Sequence, residues 1–158
     1  MKLCWAAQGE VASDSVTGAT RTAPSAGAAQ PLELFVLQNQ RLSRYFPELN
    51  SLKQWGEVDA GKLAEAALNQ DFIKSAPAVF VIAAEVGRTT SRYGERGERY
   101  VSMEAGHAAQ NLLLEATVLG LGGVPVGAFD DAEVARALGL PERLIPLYII
   151  PVGRAAAP

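Results

Sequence analysis

The chain has 158 residues and a mass of 16.7 kDa, with 49% hydrophobic and 20% charged residues, which suits one domain with one core and excludes a fibrous or disordered profile. A formal net charge of -3 gives no long-range pull toward phosphate backbones and argues against a nucleic-acid partner. With Cys4 and His107 the single residues of their types, a disulfide framework and a multi-thiolate zinc site are excluded, no metal is expected, and any nucleophile–histidine pair must use His107.

The run Leu3-Cys4-Trp5-Ala6-Ala7 is too short for a signal-peptide core, and no stretch is long and apolar enough for a bilayer span, so a cytoplasmic protein without a membrane partner is the default. Leu3 to Gln8 reads as the end of a helix. Gly9 to Gln30, rich in Gly, Ala, Ser and Thr without a sustained period, reads as a long loop of the kind that is usually functional or disordered. Glu33 to Gln38 is a strand that Asn39-Gln40 turns back into Arg41 to Phe46.

Asp59 offers an N-cap for a helix over Lys62 to Leu68, and Pro77 to Ala84 is a nearly all-apolar run that predicts a central strand buried on both faces. Arg88 to Arg99 interleaves four arginines with two glutamates and reads as a solvated or ligand-facing loop. The longest helical pattern, Ser102 to Leu119, carries Ala105, Gly106, Ala108 and Ala109, small residues that suit close approach of another helix. Gly120 to Gly123 ends it, Val124 to Phe129 forms a strand, Asp130 or Asp131 caps a helix closed by Gly139, and Leu144 to Val152 is a last strand. The order implies an α+β class with a mixed, mostly antiparallel sheet flanked by helices, in a single domain over 1–158.

Three segments bear on chemistry. Arg21, Pro24, Ser25, Ala26 and Gly27 combine a cation, a fixed proline, a hydroxyl and small residues, which suits backbone approach to a planar or phosphorylated ligand, and equally suits a small-residue turn entering a strand. His107, Gln110 and Asn111 fall on one side of a helix as a polar cluster or packing surface, without a base–nucleophile pair. Pro125 and Gly127 interrupt what should be a good strand, so a ligand can approach the backbone there.

In this order and spacing, together with Leu3 to Gly9, Arg92 to Asp131 and Pro146 to Gly153, these segments resemble the nitroreductase superfamily, and in particular the SagB-type dehydrogenases. The resemblance implies FMN as cofactor, NAD(P)H as electron donor, a small-molecule substrate, and a homodimer with flavin at its interface. It implies that Pro24, Ser25, Ala26 and Gly27 lie against the flavin, that Arg21 meets its phosphate or pyrimidine edge, and that Pro125, Val126, Gly127 and Ala128 pack on the ring, with the Gly127 amide donating to N5. Gly127 and Tyr93 are the implied catalytic groups. Two departures stand out. No Arg-Arg-Ser-type phosphate segment precedes Leu3, so Arg154 or Arg21 would substitute. Arg92-Tyr93 stands where azoline-oxidising dehydrogenases carry Lys-Tyr, and arginine cannot act as a base at working pH. The resemblance therefore implies an NAD(P)H-dependent FMN oxidoreductase, with peptide azoline oxidation, or flavin binding without turnover, as alternatives.

Overall fold

The run Ala78–Ala84 offers no polar face to water, and it is accordingly an interior strand with a hydrogen-bonded neighbour on each side. The computed structural model describes residues 1–14 and 18–154. In chain order these form α1 (Lys2–Gln8), β1 (Glu10–Asp14), β2 (Gly18–Arg21), a 3-10 turn (Ala26–Ala28), β3 (Leu32–Gln38), β4 (Arg41–Phe46), a second 3-10 turn (Pro47–Leu49) and β5 (Ser51–Glu57). There follow α2 (Ala60–Ala66), α3 (Phe72–Ser75), β6 (Ala78–Ala84), α4 (Gly87–Tyr93), α5 (Arg96–Val118), β7 (Gly122–Gly123), α6 (Asp131–Leu138) and β8 (Ile145–Gly153).

The main sheet has six strands in the order β5-β4-β3-β6-β8-β7, and helices cover it in an α+β fold. Each pairing described in it is antiparallel, so the parallel component of the expected mixed sheet is missing among the described residues. Local chemistry explains several boundaries. Asn39 and Gln40 take φ of 50° and 64°, the left-handed pair that a tight hairpin between β3 and β4 needs. Asp59 accepts from the Gly61 amide at 2.8 Å to cap α2, and Asp130 accepts from the Glu133 amide at 2.9 Å to cap α6.

Alternation along the strands feeds two separate cores. Leu34, Val36, Phe80, Ile82 and Ile150 face α1 and α5, where they meet Leu3, Cys4, Ala105, Ala108 and Leu112. Phe35, Leu37, Val79, Val81 and Ile149 face the other way and meet Leu63, Ile73, Val134 and Leu138 of α2, α3 and α6. Burying one such side chain fully contributes about 1.5–3 kcal/mol, so these two layers fix the register of β3, β6 and β8.

Three expectations need correction. Gly9 to Gln30 is not loop throughout, because β1 and β2 pair within it, Glu10 opposite Arg21 and Val11 opposite Thr20. Arg88 to Arg99 is not a loop but α4 and the start of α5. The helices meet where Gly97 leaves room, since a Cβ there would lie 2.8 Å from Thr90 Cα. Val124 to Phe129 is not a continuous strand: Gly122–Gly123 pairs with β8, and beyond it the pairing thins to a Val124 amide bond to the Pro151 carbonyl at 3.4 Å and the Val126–Ile149 bridge between Pro125 and Gly127. The close helix approach expected at Ala105, Ala108 and Ala109 is met by α1 of the same chain, and these alanines and Ala116 are buried. β5 and α3 lay outside the expected elements altogether.

Candidate functional site

Pro24 to Gly27 forms a turn that enters β3 over buried Ala23. Gly27 has φ of 58°, and Ala28 and Gln30 follow with 53° and 47°. Left-handed backbone costs a non-glycine residue about 1–2 kcal/mol, so Ala28 and Gln30 persist only because their surroundings hold them. The Gln30 amide donates to Ser25 Oγ at 2.8 Å, and the Ala28 amide donates to the Ser25 carbonyl at 3.1 Å. From α4, Arg92 Nη1 reaches the Gly27 carbonyl at 3.4 Å, and a Cβ on Gly27 would stand 2.6 Å from Tyr93 Oη. Tyr93 packs edge-on against Tyr100 with ring centroids 5.2 Å apart. The fold thus brings Tyr93 to the Pro24–Gly27 turn, two candidates that the sequence left far apart.

A residue that the sequence reading missed lies under the same turn. Glu104 of α5 is only 2% exposed, its Oε1 has no hydrogen-bond partner, and its carboxylate accepts a hydrogen bond from the Ser25 hydroxyl. Burial pushes its pKa up to about 7, while the Ser25 bond acts in the opposite direction. Helical periodicity could have found it, because Val101, Ala105 and Ala108 share its buried side of α5.

Arg21 has a different setting from the expected one. Its side chain is 10% exposed and is held by Glu48 at 2.8 Å and Glu10 at 3.5 Å, with a further bond to Gln30 Oε1 at 3.2 Å. Partial burial raises the Glu48 carboxyl, but the hydrogen bond from Arg21, a backbone hydrogen bond and the charges of Arg21 and Arg44 together outweigh it and leave the pKa below the usual carboxylate range. Arg21 is therefore an internal tie of the β1–β2 ribbon. Arg154 is exposed at the end of β8, beside a groove of about 320 Å³ lined by Leu3, Cys4, Val36 and Phe80. Burial pushes the Cys4 thiol there up to about 11. His107 and Gln110 are exposed, whereas Asn111 Nδ2 donates to the Thr22 carbonyl at 3.1 Å, so the expected polar cluster is not assembled. Among the described residues no group of three or more His, Cys, Asp or Glu is placed to hold a metal ion, and no helix is long and apolar enough to cross a membrane.

Pro125, Val126, Gly127 and Ala128 run along the outer side of β8. The Val126 amide donates to the Ile149 carbonyl at 2.8 Å and the Ile149 amide returns the bond at 3.0 Å. Backbone groups alternate in direction along an extended segment, so the Gly127 N–H points away from β8, and Gly127 is exposed. Val126 is anchored in the core layer of α2, α3 and α6, whereas Ala23 is anchored in that of α1 and α5. The two sequence-predicted flavin segments are therefore rooted on opposite faces of the sheet.

Comparison with known proteins agrees with this architecture. A Methanocaldococcus jannaschii protein named as a candidate nitroreductase is 48% identical over 141 residues, which cover 85% of this chain and 70% of that one. A crystal structure of a candidate nitroreductase from Ralstonia eutropha superposes with a TM-score of 0.84 at 30% identity, covering 99% of this chain and 71% of that one. The Escherichia coli microcin synthetase McbBCD, bound to truncated pro-MccB17, shares the fold with a TM-score of 0.83 at 24% identity, and there this chain spans 62% of the matching subunit. The nitroreductase family profile matches residues 1–154, and the chain belongs to that family.

Proposed function

We propose that this protein is an FMN-dependent oxidoreductase that takes reducing equivalents from NAD(P)H, delivers them to a small conjugated or aromatic acceptor, and works as a homodimer. The observation that carries the reading is the Pro24–Gly27 turn in a nitroreductase-family chain. Arg92 bonds its Gly27 carbonyl and Glu104 bonds its Ser25 hydroxyl, while Pro24 and Gly27 lie exposed. An exposed turn of small residues, braced by Tyr93 and Arg92 where Gly27 has no side chain, leaves backbone open to a planar ring.

When bound, FMN would accept and release a hydride equivalent, chemistry that no side chain provides. In this reading Pro24, Ser25, Ala26 and Gly27 support the ring from one subunit, and Pro125, Val126, Gly127 and Ala128 from the other. The outward Gly127 N–H is a fixed hydrogen-bond donor without a titrating group. Tyr93 at the turn holds a proton for the acceptor. Arg154, exposed, is the better placed cation for phosphate, because Arg21 is already paired.

The same geometry supports the homodimer, since segments rooted on opposite faces of one sheet meet one ligand most simply across two copies. An exposed stripe along α5, Met103, Leu114 and Val118, with Trp5 of α1 beside it, supplies an apolar surface for that contact. One observation favours azoline oxidation of a modified peptide instead, namely Tyr93 seated at the Gly27 turn. Arg92 beside it argues the other way, because a guanidinium stays protonated.

The test is to purify the protein, titrate it with FMN by fluorescence, and assay NADH and NADPH oxidation with a nitroaromatic acceptor. Bound FMN with turnover is the expected result. Bound FMN without turnover reduces the reading to flavin binding, and failure to bind FMN overturns it.

A further inference from the structure

Glu104 occupies a position where the face of α5 turned to the core is otherwise apolar. Val101, Ala105, Ala108 and Leu112 around it are buried, and no residue with the opposite charge is ion-paired to it among the described residues. A buried carboxylate in such a setting costs free energy unless it is paired, or gains a proton. Its contact with Ser25 matters because the same Ser25 Oγ accepts from the Gln30 amide at 2.8 Å. Through one hydroxyl, Glu104 thus ties both ends of the strained turn to α5.

The ionisable groups on the neighbouring elements leave this carboxyl uncompensated. On α4, Arg88 pairs with Glu33 and Glu85 at 2.9 Å each, and Arg92 reaches the Gly27 carbonyl. On the β1–β2 ribbon, Arg21 pairs with Glu48 and Glu10. On α1, Lys2 is exposed and Gln8 is neutral, its Nε2 also buried without a partner. On α5 itself, Tyr100 meets Tyr93 and Arg96, while Glu98, Arg99 and His107 are exposed. Burial dominates, and it places the titration of Glu104 near neutral pH.

We propose that Glu104 is a positioning residue for the flavin-facing turn: through Ser25 it sets the Pro24–Gly27 backbone, and flavin binding draws up to one proton from solvent onto its carboxylate. The inference rests on the flavin reading above. Seating a planar ligand on the turn removes water from Ser25, which bonds Glu104, and an anionic phosphate adds like charge. Both effects disfavour the carboxylate and favour the neutral acid. The proton balance is up to one solvent proton taken up per flavin bound, a fraction near neutral pH where part of the free protein already carries it, with no electron transfer and no other bond made or broken.

The experiment is fluorescence titration of flavin-free protein with riboflavin across about pH 6 to about pH 8.5, where one linked proton makes affinity fall by up to about tenfold per pH unit. Riboflavin lacks the phosphate and so removes that group's own titration. The parent is expected to bind more weakly as pH rises through neutrality. Glu104→Gln, a neutral mimic that can still hydrogen-bond Ser25, is expected to keep the low-pH affinity at every pH. Calorimetry of the parent near neutral pH in buffers of different ionisation heat gives the proton count without any variant. Zero proton uptake, or an unaltered pH dependence in Glu104→Gln, overturns the proposal while the flavin reading stands. Failure of the parent to bind riboflavin and FMN at any pH overturns the flavin reading, and the proposal falls with it.

Discussion

Gln70 Nε2 donates to the Ala128 carbonyl at 2.9 Å and to the Ala67 carbonyl at 2.8 Å, so the chain just after Gly127 is fastened to the end of α2. The Asp130 amide adds a bond to the Ala66 carbonyl at 3.0 Å. Gly127 therefore lies between two fixed points, the Val126–Ile149 bridge and this anchor, and its amide direction is set by the fold rather than by a ligand.

That rigidity makes the Gly127 amide testable. Gly127→Pro deletes the donor and is expected to slow flavin reduction by NAD(P)H on the order of 10²–10³, with FMN still bound, in stopped-flow measurements. Gly127→Ala keeps the N–H, and its Cβ would meet nothing nearer than Tyr148 Cε1 at 3.8 Å, so a near-parental rate is expected. Equal rates in the proline variant and the parent would remove Gly127 from the reaction.

Glu104 predicts a pH dependence of stability. Its pKa is raised in the folded state, from the usual 4.5 to about 7, so it supports folding fully below the ordinary carboxylate pKa and that support is lost as pH rises through about 7. The loss amounts to roughly 3 kcal/mol for a shift of this size. Urea denaturation of flavin-free protein at about pH 5 and about pH 8 should show the decline in the parent and a flatter profile in Glu104→Gln. Parallel profiles would mean that Glu104 does not titrate in this range.

Arg21→Ala should destabilise the fold by about 1–2 kcal/mol, because the charge-assisted bond to Glu48 is lost from a largely buried guanidinium while the exposed carboxylates are rehydrated. The Glu48 pKa is lowered in the folded state, so this contribution is present above the ordinary carboxylate pKa and disappears as pH falls through the lowered one. Chemical denaturation at neutral and acid pH reads both effects. A fall in FMN affinity with unchanged stability would return Arg21 to the phosphate-binding role that the resemblance implied.

The α5 stripe predicts the oligomeric state. Leu114 is 57% exposed and Val118 79%, and a charge at each should convert a dimer to a monomer without loss of helix content. Light scattering and circular dichroism of the Leu114→Glu, Val118→Glu double variant check this. An unaltered dimer would move the interface to another surface.

The sequence by itself determined what short-range physics controls. The apolar run of β6 could only be interior, Asn39-Gln40 could only turn tightly, and Asp59, Asp130 and Gly139 set helix ends through bonds to nearby amides or a left-handed residue. The loose motifs at Pro24–Gly27 and Pro125–Ala128 also marked the segments in which the backbone departs from regular structure. What tertiary structure decided was long-range pairing. β1 and β2 have little strand pattern and exist because each pairs with the other, and the Arg88–Arg99 stretch is helical because Gly97 admits Thr90. The alanines of α5 invite a second helix by sequence, and tertiary structure decides that this helix is α1 of the same chain. Likewise, the sequence could count the charges but not say which were spent: Arg21 is committed to Glu48 and Glu10, and Glu104, an ordinary acidic residue in a helix by sequence, becomes a buried acid only when α5 lies against the core and meets Ser25 from a turn far away in the chain. Burial and pairing depend on contacts between residues distant in sequence, which no local pattern encodes.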